Sequence, residues 1–97
     1  MSGKDTSTIG NPIEETRQYH TLYLRAINNP LRRKILRALG EGYATVEDLQ
    51  SRTGLDVNAL NWHLSMLERG LCVEKDTKEG KTVYKRTQEG RVVDHLE

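Results

Sequence analysis

The fold of this chain is decided by the stretch Thr45–Arg86, which reads TVEDLQSRTGLDVNALNWHLSMLERGLCVEKDTKEGKTVYKR. Its first half contains two amphipathic segments, 45–53 and 57–69, and each of them stops at a glycine. Its second half contains two runs, 71–76 and 82–87, on either side of a Lys-Glu-Gly-Lys turn. The pattern predicts two short helices around a tight turn, followed by a β-hairpin with a basic tip.

Capping residues predict where the helices begin. Thr45 is expected to cap the third helix with Asp48 as its capping-box partner, and Asp56 is a plausible cap for the fourth, with Asn58 as a competitor. Gly54 is expected to adopt the left-handed conformation of the turn between these two helices.

Two more helices should precede this stretch, because an Asn-Pro pair at 11–12 and another at 29–30 each give a helix start. They should run to about Ile27 or Asn28 and to Leu39, and a short last helix should follow Thr87. The fold class is therefore mainly α with a small β-hairpin wing, a winged helix-turn-helix. We expect one domain over residues 11–97, behind a disordered tail over residues 1–10.

Composition limits the kinds of protein that this chain can be. Its 97 residues suffice for one modest core, and a hydrophobic content of 35% favours oligomerisation. The net charge of +1 excludes a polybasic coat, so any contact with nucleic acid depends on how charge is distributed. There is no long apolar run and no signal-peptide pattern, and the single cysteine forms no internal disulfide. We expect a cytoplasmic protein without a membrane partner.

The fourth helix has two unlike faces. Leu60, Leu64 and Leu67 form an inner stripe, and Trp62 should point away from the core because it lies about 200° around the helix from Leu60. Polar and aromatic residues form the outer face: Asn58, Asn61, Trp62 and Ser65. Such side chains can read base edges in a major groove. They also suit a solvated helix face, and the tryptophan equally suits a protein interface.

Basic residues concentrate in the hairpin. Between Lys75 and Arg86 there are five basic residues against two acidic ones, a net charge of +3 in a nearly neutral chain. Phosphate contacts are expected from three hairpin lysines and from two arginines of the second helix, namely Lys78, Lys81, Lys85, Arg32 and Arg33. Arg37 is a further candidate. The alternatives are ordinary lysine decoration of an exposed hairpin, and arginines that pair with acids of neighbouring helices.

Three stretches in order resemble the ArsR-type winged-helix repressors of bacteria and archaea. They are Asn29–Leu39, Ala59–Leu71 and Tyr84–Arg91, and the similarity covers roughly residues 26–93. The resemblance implies a homodimer on a roughly palindromic operator, with the first and last helices pairing between protomers. On the first helix, the apolar residues expected at that interface are Tyr19, Leu22, Tyr23 and Ile27.

The chain departs from the family where many members sense metals. The helix before the recognition helix, 44–52, has no cysteine, and Asp94 and His95 are adjacent rather than one turn apart. We therefore expect no metal site and no cofactor. His63 is expected to pack and hydrogen-bond, and Cys72 to be a packed thiol, with an intermolecular disulfide as the alternative.

Nothing in the chain resembles a nucleophile, a phosphate loop or a paired-carboxylate site, so the sequence predicts no enzyme and no catalytic residue. The sequence favours a homodimeric transcriptional regulator that binds double-stranded DNA, with helix 57–69 in the major groove and wing 71–87 on the backbone. The alternative is a winged-helix protein-interaction module without direct DNA binding. A small-molecule or redox sensor with DNA binding as its output is a third possibility.

Overall fold

The computed structural model describes residues 12–96, with side chains from residue 17 onward. The predicted tail over residues 1–10 and the cap at residue 11 lie outside the described residues. The elements are α1 (Pro12–Ile27), α2 (Pro30–Leu39), α3 (Val46–Thr53), α4 (Val57–Arg69), β1 (Val73–Lys78), β2 (Lys81–Arg86) and a final 3₁₀ helix (Glu89–His95). None of the helices over residues 12–96 is long and apolar enough to cross a membrane.

The predicted caps are present. The side chain of Asn29 accepts hydrogen bonds from the first backbone amides of α2. Thr45 and Asp48 form a reciprocal capping box at α3, and the Asp56 carboxylate accepts the amide of Ala59 at 2.8 Å on α4. Gly54 ends α3 with φ 77°, the left-handed conformation that the turn requires. The boundaries of α2, α3 and α4 follow directly from these local interactions.

One core forms where the helices meet the base of the hairpin. Its largest fully buried side chains come from α2, α3, α4, the residue before β1 and the final 3₁₀ helix, and they are Ile35, Leu36, Leu49, Leu60, Leu64, Leu67, Cys72 and Val93. The leucines of α4 predicted as its inner stripe are thus all in the core. Their burial fixes the rotation of α4 about its axis, and so fixes which residues face solvent.

The hairpin is longer at its tip than predicted. β1 and β2 pair in antiparallel register from Val73 with Arg86 to Lys78 with Lys81. The two turn residues, Glu79 and Gly80, both have positive φ (53° and 78°), as a type I′ turn requires. β1 begins two residues later than expected, since Leu71 has a φ of 63° and so cannot belong to the strand.

Gly90 has a packing role that composition alone hides. It lies in the last helix, which is a 3₁₀ helix. A Cβ at Gly90 would collide with the carbonyl oxygen of Cys72. The glycine therefore lets the last helix lie directly on the backbone that leads into β1.

Candidate nucleic-acid interface

The outer face of α4 carries a continuous polar and aromatic stripe. Trp62 is 62% exposed, and Asn58, Asn61 and Ser65 are exposed beside it at helical spacing. The Ser65 hydroxyl donates to the carbonyl oxygen of Trp62 at 2.7 Å, so its oxygen remains able to accept a hydrogen bond. The structure brings the four predicted groove residues together on one surface, here called the α4 stripe.

Three lysines share one face of the hairpin. Lys78 pairs with Lys81 across the strands, and Lys85 lies on the same face as Lys81 because side chains alternate along β2. Lys78 and Lys81 are exposed and Lys85 is half-buried. The three lysines predicted to contact phosphate therefore lie on one face of the hairpin, here called the wing face, which they share with the exposed Glu74 and Asp76. Lys75 pairs with Tyr84 and belongs to the opposite face.

Tyr43 is a member of the wing face that the sequence did not reveal. Its ring centroid lies 4.4 Å from the Nζ of Lys78 and 5.3 Å from the Nζ of Lys85, within cation–π distance. The neighbouring Ala44 forms an isolated bridge with Tyr84, which brings Tyr43 alongside the hairpin. The segment between Gly42 and Thr45 is too short for a strand pattern, so only the pairing itself identifies it.

The structure turns the side chains of Arg32 and Arg33 toward the end of α1. The Arg32 side chain is buried, with Nε 3.2 Å from the carbonyl oxygen of Ala26 and Nη2 2.9 Å from that of Arg25. Arg33 Nε donates to the carbonyl oxygen of Ile27 at 2.7 Å. Both guanidinium groups therefore satisfy the C-terminal carbonyls of α1. This geometry argues against Arg32 as a phosphate contact. It also engages part of the Arg33 guanidinium.

Arg86 likewise turns inward. It is 5% exposed and forms ion pairs with Glu41 at 3.2 Å and Asp94 at 2.9 Å, while its Nε donates to the carbonyl oxygen of Gly40 at 2.7 Å. Its hydrogen bond is the main reason why the pKa of Asp94 is lowered. The hairpin therefore presents a net charge of +2 rather than +3 to solvent. Arg37 is also engaged, with the carbonyl oxygen of Leu96 at 3.2 Å.

The first helix exposes an apolar face beside the last helix. Tyr19 is 54% exposed, and Leu22 and Tyr23 are half-buried. Two clefts, of about 250 and 520 Å³, lie along this side between α1 and the final 3₁₀ helix, and Tyr23 lines both. Ile27, also predicted to lie at a dimer interface, is only 5% exposed and packs into the protomer's own core. Its role there is structural.

Two residues that invite a chemical interpretation are buried. The Nδ1 atom of His63 lies 3.3 Å from Nη1 of Arg32, and the ring is buried, in agreement with the predicted packing role. Cys72 is fully buried, and burial raises the pKa of its thiol to about 11, with the charge of Glu89 adding to the effect. Within residues 12–96, no three histidine, cysteine or acidic side chains are grouped to hold a metal ion.

Comparison with known proteins gives a consistent result. A family model described as a helix-turn-helix domain matches residues 27–74. No curated protein sequence matches the chain. Among solved structures, HlyU from Vibrio cholerae is similar with a TM-score of 0.71 and 27% identity, over 86% of this chain and 92% of HlyU.

Two further structures share the fold at lower identity. The homodimeric winged helix-turn-helix DNA-binding domain of Mb0332 from Mycobacterium bovis, a possible ArsR-family transcriptional regulator, has a TM-score of 0.76 at 21% identity, over 99% of this chain and 86% of that domain. The transcriptional repressor BigR from Xylella fastidiosa has a TM-score of 0.69 at 22% identity, over 87% and 88% of the two chains. The element order described above is therefore that of known winged helix-turn-helix regulators.

Proposed function

We propose that this chain is an ArsR-type winged helix-turn-helix regulator of transcription that binds specific double-stranded DNA as a homodimer. The observation that carries the proposal is the α4 stripe. A helix whose inner face is fixed by three buried leucines presents two asparagines, a serine and a tryptophan to solvent. Asparagine amides can pair with adenine edges, and a tryptophan ring can pack against sugar or a thymine methyl group.

The wing face supplies the part of the binding that does not depend on sequence. Lys81 and its neighbours on that face place positive charge at the end of a rigid hairpin, where a phosphate backbone would pass. In this proposal, α4 recognises the bases, and the phosphate contacts of the wing fix the position of the protein along the duplex. The regulator acts within the cell on duplex DNA and needs no cofactor or metal for this binding.

The apolar side of α1 supports the homodimer. Tyr23 borders both clefts beside the last 3₁₀ helix and Tyr19 borders the smaller one, while Leu22 is half-buried on the same helix. A second copy packed there would place two α4 helices on one face of a duplex. Such a dimer reads two half-sites about 34–36 Å apart, so its operator should be an inverted repeat.

A second candidate function is a winged-helix protein-interaction module without DNA binding. The observation that favours it is the 62% exposure of Trp62, a large apolar side chain of the kind that anchors protein interfaces. The two candidates differ in their response to salt. Phosphate contacts release counterions and weaken steeply as salt rises, whereas an apolar protein interface does not.

One experiment tests the proposal. Trp62 is the only tryptophan, so its emission reports on the α4 stripe while random duplex DNA is added at low salt and the salt is then raised. A shift on binding that reverses with salt is expected. Duplexes selected from the random pool should then contain an inverted repeat, and scrambling one half-site should abolish tight binding.

The variant Asn61→Ala with Trp62→Ala tests the α4 stripe itself, with labelled duplex and fluorescence anisotropy as the readout. Both side chains are exposed, so the fold should be retained and the preference for the selected site lost. Retention of specific binding in this variant would contradict the role assigned to α4. A folded protein that gives no response to DNA at low salt would favour the protein-interaction module.

A further inference from the structure

A buried arginine and a buried histidine join three helices of the DNA-binding unit. Arg32, on the first turn of α2, is 8% exposed, and His63, in the middle of α4, is 9% exposed. Two arms of the Arg32 guanidinium donate to the last carbonyls of α1, and the third meets Nδ1 of His63 at 3.3 Å. The pair therefore links the end of α1 to the helix that carries the α4 stripe.

The contact requires a neutral histidine. A guanidinium has only donors, so Nδ1 of His63 must be the acceptor, and the ring proton must be on Nε2. Protonation would place a second donor and a positive charge on Nδ1, directly opposite Arg32. The hydrogen bond would be lost, and two like charges would face each other in a site shielded from water.

No acidic side chain offsets that repulsion. In the part of the chain that the structure describes, neither Arg32 nor His63 forms an ion pair with a carboxylate. Burial, and after it the charge of Arg25 on α1, lowers the pKa of Arg32. The ionisable groups on the other elements packed against α2 or α4 are engaged elsewhere or exposed, and they include Asp48 and Arg52 on α3, Glu74 and Lys75 on β1, Arg86 on β2, and Glu89 and Asp94 on the last helix.

Burial, and after it the charge of Arg32, lowers the pKa of His63 below its usual 6.5. The folded protein therefore keeps this ring neutral at neutral pH. It takes up the proton only at a pH below the usual pKa of a histidine side chain.

We propose that the contact between Arg32 and His63 positions α4 for DNA binding, and that protonation of His63 releases this position and weakens binding. His63 directly follows Trp62, so any displacement at the pair is transmitted to the α4 stripe. Arg32 is held by two α1 carbonyls, whereas His63 is held by one contact. When the two groups repel each other, His63 and α4 should therefore move rather than Arg32. The inference rests on the proposed DNA-binding function.

The expected sign is opposite to that of ordinary electrostatics. Acid adds positive charge to a protein as a whole, and added positive charge strengthens nonspecific attraction to phosphate. A loss of affinity in acid therefore indicates a site that takes up a proton less readily in the DNA-bound protein than in the free protein. Each such proton contributes up to about tenfold in affinity per pH unit below the pKa.

The first measurement needs no DNA. Trp62 emission of the free protein is followed from pH 8 to pH 5, with circular dichroism to confirm that the fold is retained. The wild type should show a transition below pH 6.5, and His63→Asn should not, since its Oδ1 offers Arg32 an acceptor near the Nδ1 position and cannot titrate. The double variant His20→Gln with His95→Gln is the matched control and should keep the transition.

The second measurement compares DNA affinity at pH 7.5 and pH 5.5 for the same three proteins, each normalised to its own value at pH 7.5. The wild type and the control should lose affinity in acid relative to His63→Asn. Equal responses in the wild type and His63→Asn, in emission or in affinity, would overturn the inference. Failure of all three proteins to bind DNA at pH 7.5 would instead contradict the proposed function, and the emission data would still decide whether His63 is the switch.

Discussion

Replacement of Lys81 by alanine should weaken DNA binding in a way that depends on salt. Lys81 is exposed on the wing face, and within residues 12–96 it has neither a hydrogen bond nor a ring contact, unlike Lys78 over Tyr43. Its charge acts on Asp48, whose pKa is lowered mainly by hydrogen bonds from Thr45 and to a smaller extent by Lys81. The ammonium group is therefore available to a phosphate.

The magnitude follows from counterion release. Each phosphate contact contributes about 0.9 to the slope of log affinity against log salt, so one contact per protomer should lower the slope of a dimer by about 1.8. Between 50 and 200 mM salt, that difference corresponds to about tenfold in affinity. The variant should therefore lose about ten times more affinity at 50 mM than at 200 mM, relative to wild type.

Lys75→Ala is the matched control, because Lys75 is a lysine of the same hairpin on the opposite face, paired with Tyr84. Both variants change the net charge equally, and fluorescence anisotropy with a labelled duplex over a salt series gives both slopes. An unchanged slope in Lys81→Ala would refute the wing contact. An equal change in both variants would show that net charge, and not the wing face, determines the effect.

Three further predictions test how the scaffold is held together. Gly90→Ala should destabilise the fold by about 1–3 kcal/mol in denaturant unfolding because its Cβ meets the Cys72 backbone, whereas Gly42→Ala, with open space around it, should be nearly neutral. Stability should fall as pH drops through the lowered pKa of Asp94, whose carboxylate is paired with Arg86 only when ionised, and Asp94→Asn should remove that part of the pH dependence. With a pKa of about 11, the Cys72 thiol should react with alkylating reagents at pH 8 only after unfolding, and rapid native-state labelling would contradict its burial.

The helix boundaries could be predicted because the interactions that set them are local. The capping box of Thr45 and Asp48 and the cap at Asp56 each join residues three positions apart, so the sequence contains both partners. The outward position of Trp62 was predictable for a similar reason, since helical periodicity relates it to Leu60. These local features also place the α4 stripe, which is why its four members were correctly brought together.

The contacts of Tyr43 and Gly90 could not be predicted in this way. Tyr43 meets Lys78 only because Ala44 pairs with Tyr84, a partner forty residues away along the chain. Gly90 is required by the backbone of Cys72, which belongs to a different element. Each depends on a tertiary approach that no periodicity or capping signal encodes.

The arginines of α2 show why a basic cluster alone is a weak signal for a DNA surface. Arg32 and Arg33 occupy the first turn of a helix, where positive charge opposes the helix dipole and no acidic residue compensates. An unfavourable position of this kind indicates that something else holds these side chains. The structure supplies it in the C-terminal carbonyls of α1, whose negative dipole end lies beside the positive start of α2. The two helix ends are thus stabilised by the same guanidinium groups, which leaves the lysines of the wing face as the candidates for phosphate contacts.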